Sequence, residues 1–217
     1  MFKSYSMELA GRTLTVDVGR VAKQANGAVL IHYGETVILS TATASDKPRE
    51  GIDFFPLSVD YEEKMYAVGK IPGGFNKREG KASEHATLTS RVIDRPMRPL
   101  FPKDYRNDVT LNNLVMSVDP ECNPEIPAML GSSIATCISD IPFDGPCAAT
   151  QMGLIDGELV VNPTMAQRVV SDLQLTVASK REKVIMIEAG ANEVPDDKMI
   201  EAIYKAHEVN QEIIRFF

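Results

Sequence analysis

Short runs of alternating or β-branched residues follow one another in neighbouring pairs with tight turns between them, and this order constrains the fold more than any other feature. Arg12 to Val18 sets Leu14, Val16 and Val18 against Thr13, Thr15 and Asp17, the two-residue period of a half-buried strand. Ala28 to Tyr33 and Glu35 to Ala42 are apolar, β-branched runs separated by Gly34, which predicts a hairpin. Phe54 to Tyr61 and Val109 to Val118 are further strand candidates. Asp156-Gly157 joins the runs Ala148 to Ile155 and Glu158 to Val161, a strong hairpin signal. Leu173 to Val177 and Val184 to Glu188 flank the charged turn Lys180 to Lys183. Ile126 to Ser139 is rich in small residues (Ala128, Gly131, Ser132, Ser133, Ala135), as a buried helix packed closely on a sheet requires. Pro195 and Asp196 open a last helix with Met199, Ile203, Ala206, Val209, Ile213 and Phe216 or Phe217 as its apolar stripe. Hairpins with helices interspersed predict the α+β class, with mixed or antiparallel sheets packed against helices.

A chain of 217 residues with 44% hydrophobic content can bury a sizeable core, and residues 1–217 are read as one domain without repeats or linkers. No run approaches the roughly 18 apolar residues a spanning helix needs, so a soluble, cytoplasmic protein without a membrane partner is expected. Cys122, Cys137 and Cys147 form no CxxC pair and are expected to be buried thiols, neither a zinc site nor a disulfide framework. The sequence ends at Phe216-Phe217 inside a helical pattern, so it is expected to be the N-terminal fragment of a longer chain.

Charge is not spread evenly. From Lys70 to Arg106 there are nine basic residues (Lys70, Lys77, Arg78, Lys81, Arg91, Arg95, Arg98, Lys103, Arg106) and four acidic ones (Glu79, Glu84, Asp94, Asp104), a local excess of +5 within a net charge of −7. A cation-rich segment in an acidic body is what a polyanion site needs. Phe75-Asn76-Lys77-Arg78 follows the turn Ile71 to Gly74 as a loop with one ring and two cations, able to stack a base and hold a phosphate. Ser83 is placed to cap a helix that Pro96 is expected to end or kink near Asp94 or Arg95. Leu88 and Val92 share one face of it; Arg91 and Arg95 share another and, repelling each other, call for a shared anion. Asp94 is a candidate partner for Arg91. The same arginines could instead make salt bridges within the fold or at a subunit interface. Glu62-Glu63-Lys64 reads as a solvated turn, and His85 as a partly exposed helical histidine within the basic segment.

The segment Ile71 to Pro102, with IPGGF, KREG, TSRVIDRP and RPLFP, resembles the first ribonuclease PH-type core domain of the bacterial polynucleotide phosphorylases. DFFPLSVDYEEKMYAVGKIPG (Asp53 to Gly73), NPEIPAMLGSSIA (Asn123 to Ala135), IPFDGP (Ile141 to Pro146) and VNPT (Val161 to Thr164) extend the resemblance over nearly the whole chain. The resemblance implies the ribonuclease PH fold and a share in phosphate-dependent 3′-to-5′ degradation of single-stranded RNA to nucleoside diphosphates. Phosphate is then the co-substrate, a homotrimeric ring the assembly, and the RNA-degradation machinery a possible partner. It also implies that the phosphate loop and the magnesium aspartates sit in a second core domain. This chain has Asp119 to Pro124 (DPECNP) at the loop position and Gln174 at an aspartate position. Asp172 is a lone carboxylate, and Gly131-Ser132-Ser133 lies inside an apolar helix, so no metal ligand and no catalytic residue is assigned here.

The family's RNA-gripping loop maps onto Phe75, Asn76, Lys77 and Arg78. Asn76 stands where the family has a second ring, a loss of about 1–3 kcal/mol of stacking per base. Lys77 keeps the charge of an arginine without its fork. Arg91 and Arg95 match arginines placed near the RNA backbone and the active site; Lys81 and Arg98 match further basic positions. A non-catalytic RNA-binding or scaffold module of the same fold is a competing reading. A self-sufficient exonuclease is disfavoured by DPECNP and Gln174.

Overall fold

The computed structural model describes residues 2–74 and 80–217. Ten strands and four α-helices are present among them: β1 (Lys3–Leu9), β2 (Arg12–Val18), β3 (Gly27–Tyr33), β4 (Thr36–Ala44), β5 (Leu57–Glu63), α1 (Glu84–Met97), β6 (Val109–Ser117), α2 (Glu125–Cys137), β7 (Ala148–Ile155), β8 (Glu158–Val161), α3 (Met165–Val169), β9 (Leu173–Lys180), β10 (Lys183–Ala191) and α4 (Asp196–Phe216). They form a six-stranded sheet in the order β1-β2-β3-β4-β6-β5 and a four-stranded sheet in the order β10-β9-β7-β8. Every pairing is antiparallel except β5 with β6, which runs parallel from Leu57↔Val109 to Glu63↔Val115. A parallel pair requires a crossover connection. The chain between β5 and β6, which includes α1, is that crossover, and it sets Arg91, Arg95 and Arg98 of α1 and the turn after it beside β5.

The expected α+β architecture with mixed sheets is what the chain adopts, with local corrections. The run at Phe54 enters the sheet only at Leu57, after Pro56, whose carbonyl accepts from the Val109 amide. Glu62 and Glu63 are the end of β5 rather than a free turn. Lys3–Leu9, without a clear alternation, pairs with β2 as an edge strand whose first four residues are exposed.

Helix α2 is buried from Ile126 to Thr136 because it touches β3, β4 and β6 on one side and β7 on the other. Its small residues follow from that position. A methyl group at Gly131 would overlap the Ser40 hydroxyl of β4. Ser132 Oγ donates to Asn113 Oδ1 at 2.9 Å, which also accepts from Ser40 Oγ at 2.6 Å, and Ser133 Oγ accepts from the Cys147 amide at 2.9 Å. Burying polar groups is tolerated when each has a partner, and the described residues contain no buried side-chain polar atom without one. Close packing, not anion binding, explains Gly131-Ser132-Ser133.

The outer layer is α4, which packs on β7 and β9. Ala202, Ala206, Ile213 and Ile214 are buried along it, and Asn210 donates to Val177 O and accepts from Thr150 Oγ1. Cys122 and Cys147 are buried, and burial pushes the Cys147 thiol up to about 12. Cys137 at the end of α2 is exposed, which corrects the expectation of three buried thiols.

Candidate nucleic-acid interface

Helix α1 carries the cationic face. Ser83 Oγ accepts from the Ala86 amide at 3.0 Å, the predicted cap, and Glu84 lies in the first turn where a negative charge is favoured. Its buried residues are Ala86, Thr89, Ile93, Pro96 and Met97, a 3.6-residue stripe against β5 and α2. Leu88 is 57% exposed, whereas Val92 is half-buried against the core. The helix runs past Pro96 to Met97 instead of ending near Asp94 or Arg95. Pro96 is buried in the last turn, the Arg98 amide bonds to Asp94 O, and a 3-10 turn over Arg98–Leu100 continues the path. A proline gives up one helical hydrogen bond and crowds the carbonyl four residues back, and α1 ends one residue after it.

Arg91, Arg95 and Arg98 recur at helical spacing along a groove of about 900 Å³ between α1 and β5. Their environments differ. Arg98 pairs in a fork with Asp94, Nε to Oδ2 at 3.0 Å and Nη2 to Oδ1 at 2.7 Å, and also donates to Phe55 O and Leu57 O, each at 3.2 Å. It therefore ties the end of α1 to the start of β5. Asp94 serves Arg98 and not Arg91, because the i,i+4 geometry brings the two side chains together. Arg95 Nη1 lies 3.2 Å from Glu188 Oε2 of β10, with both side chains about half exposed. Arg91 is exposed and has no ion-pair partner among the described residues. Lys81 is exposed two residues ahead of the cap. Phe75, Asn76, Lys77 and Arg78 lie outside the described residues. Asp60, Glu62, Asp94 and Glu188 share the groove with the arginines, so it is not a uniformly positive trench.

A second cleft, of about 490 Å³, opens on the other side of Leu88 and Val92. Gln174 lines it, together with Gln151, Arg168, Glu125 and Glu188, over a floor that includes Met129, Met152 and Leu175. Asp172 is not among the lining residues, and the described residues contain no cluster of three or more His, Cys, Asp or Glu side chains able to hold a metal. The DPECNP turn is held by Asp119, whose Oδ1 accepts from the Glu121 amide at 2.9 Å and Oδ2 from the Glu35 amide at 3.2 Å. The Glu121 amide, with the Glu35 amide and Arg12, holds the Asp119 carboxyl below the usual range although partial burial opposes this.

At the mouth of this cleft His85 lies between two carboxylates. Nδ1 is 3.2 Å from Glu63 Oε1 and Nε2 is 2.9 Å from Glu125 Oε1. Glu125 Oε2 accepts from Gln151 Nε2 at 2.8 Å and Asn123 Nδ2 at 3.1 Å, and Glu63 Oε1 accepts from the Tyr61 hydroxyl at 3.2 Å. Burial, reinforced by the Glu63 and Glu125 charges, raises the Tyr61 phenol strongly, so it stays a donor. Sequence reasoning missed this chain of contacts. Its members are 22 and 40 residues apart and come from three elements, so no spacing announces them.

The whole chain superimposes on the crystal structure of rice (Oryza sativa) Rrp46 with a TM-score of 0.71 at 13% identity, covering 100% of this chain and 92% of that one. The fold is thus of the ribonuclease PH type. Residues 10–142 match domain 1 and residues 145–209 match domain 2 of the 3′ exoribonuclease family, and the chain belongs to that family. It is 82% identical over 216 residues to the polyribonucleotide nucleotidyltransferase of Lachnoclostridium phytofermentans, 64% over 216 residues to that of Ruminiclostridium cellulolyticum, and 58% over 214 residues to that of Staphylococcus epidermidis. These matches cover 99–100% of this chain but 30–31% of each relative.

Proposed function

We propose that this chain works as the first ribonuclease PH-type core unit of a polyribonucleotide nucleotidyltransferase, a phosphate-dependent 3′-to-5′ exoribonuclease acting on single-stranded RNA. The observation that carries the proposal is the 82% identity, over the full chain, to a protein of that name. In the reaction, a phosphate oxygen attacks phosphorus at the terminal linkage, the 3′ oxygen of the shortened RNA leaves, and a nucleoside diphosphate is released. Such a transition state needs cations around the phosphorus.

Arg91 and Arg95 supply cations toward the RNA backbone; Lys81 and, by the family resemblance, Phe75, Asn76, Lys77 and Arg78 contribute to the same grip. Arg91 is free to take a phosphate, and Arg95 can exchange an exposed carboxylate for one at little cost, because exposed pairs contribute under about 1 kcal/mol. Arg98, with four donors used inside the fold, holds α1 in place rather than gripping RNA. Magnesium and the catalytic aspartates belong to a second core unit beyond residue 217; Gln174 and the amide-held Asp119 support this. Residues 1–217 act as one unit, and the larger hydrophobic cluster, which joins Ile31 and Leu130 to Ala149, Ala178 and Ile213, supports that reading. The protein is cytoplasmic, forms a homotrimeric ring and can meet the RNA-degradation machinery; no described helix is long and apolar enough to cross a membrane.

A non-catalytic scaffold of the same fold is favoured only by DPECNP and Gln174. Incubating the full-length protein with single-stranded RNA, magnesium and phosphate decides between them. Nucleoside diphosphates released only when phosphate is present establish phosphorolysis. Monophosphates, or no product, reject it.

A further inference from the structure

His85 is the second residue of α1, and its ring joins that helix to two other elements. Ionised carboxylates only accept hydrogen bonds, and a neutral imidazole has a single N–H. The contacts to Glu63 of β5 at 3.2 Å and Glu125 of α2 at 2.9 Å are therefore both hydrogen bonds only when the ring carries both protons. Both carboxylates are also held from elsewhere, Glu63 by Tyr61 and Glu125 by Asn123 and Gln151. Arg168 and Glu188 line the same cleft from α3 and β10, and Lys64 beside Glu63 pairs with Glu62.

Among the described residues, the start of α1 is otherwise held by the Ser83 cap and by small side chains. Ala86 is the buried residue of the first turn, Leu88 is exposed, and the large buried side chains Ile93 and Met97 come later. We propose that the His85 imidazolium is a positioning residue, fastening the first turn of α1 to β5 and α2. It thereby sets the Arg91–Arg95 face in the arrangement that holds RNA. Affinity for single-stranded RNA then falls with rising pH, because a ring left with a single N–H must give up one of the two contacts. This rests on the proposed RNA-gripping role of the segment. His85 touches no reacting atom and is not a catalytic residue.

The test uses the full-length protein, a labelled single-stranded oligoribonucleotide without phosphate, and constant ionic strength from about pH 5.5 to about pH 8.5. Wild type is compared with His85→Gln, which is neutral, and His85→Lys, which is cationic throughout; hydrogen exchange over residues 80–92 is followed in parallel. Wild-type affinity should weaken roughly two- to fivefold with rising pH, the range of a half-exposed ion pair. His85→Gln should be weak and flat, His85→Lys tight and flat, and exchange at the start of α1 should quicken as affinity is lost. A flat wild-type profile, or one that His85→Gln reproduces, overturns the proposal. An Arg91→Ala, Arg95→Ala variant separates the two claims. If it binds RNA normally the RNA-gripping reading fails, and the positioning claim with respect to RNA falls with it. If it binds weakly while His85→Gln behaves as wild type, only the His85 proposal is overturned.

Discussion

On the proposed RNA-gripping role, replacing Arg91 and Arg95 together by alanine should remove two phosphate contacts while leaving the fold intact. Neither side chain is needed to satisfy a buried group: Arg91 has no ion-pair partner among the described residues, and Arg95 has a half-exposed one in Glu188. Each lost contact with a single strand lowers the slope of log affinity against log salt by about 0.7. The double variant should therefore show a slope shallower by about 1.4. Between 50 and 200 mM salt this makes the wild type lose about sevenfold more affinity than the variant. Fluorescence anisotropy of a labelled oligoribonucleotide, titrated at several potassium chloride concentrations, reads the slope directly. Thermal melting should be unchanged. A slope equal to the wild type's would refute the assignment and make these arginines structural.

Arg98→Ala should behave in the opposite way, lowering stability by about 1–2 kcal/mol, or Tm by about 2–8 °C, with no slope change beyond that of the unfolded fraction; differential scanning calorimetry checks it. Gly131→Ala should destabilise by about 1–2 kcal/mol, because overlap with Ser40 outweighs the gain in helix propensity, and a urea midpoint measures this. Asp119 has a folded-state pKa below its unfolded value, so its contribution to stability is present above about pH 4 and is lost as pH falls through the lower folded value. Acid titration of the melting temperature should accordingly fall less steeply in Asp119→Asn than in wild type.

Much of this fold could be read from residue order. Alternation located β2 and β6 because one face of each meets an apolar layer, and the Asp156-Gly157 turn located the β7–β8 hairpin. The small residues of α2 announced a helix between close neighbours, and their contacts with both sheets give the reason. Lys3–Leu9 was illegible because its residues are mostly exposed and carry no alternation. Thr164 and Gln167 close a capping box on the single turn α3, but so short a helix has no periodicity to show. Pro96 marked the helix end only approximately, since α1 stops at Met97, the next residue, and passes into a 3-10 turn. Within the candidate site, the arginine face of α1 followed from spacing alone. Which arginine is free did not, since Glu188 is 93 residues from Arg95, and the convergence of Glu63, His85 and Glu125 depends on three elements meeting.

The central claim is that this chain lends cations and shape to a reaction whose catalytic groups lie in another unit. Phosphorolysis of single-stranded RNA by residues 1–217 alone, beside the full-length gene product, with phosphate and magnesium supplied to both, tests it most directly. The account predicts nucleoside diphosphates from the full-length protein and none from residues 1–217. Release by residues 1–217 alone would contradict it and turn attention to Asp172 and Ser132.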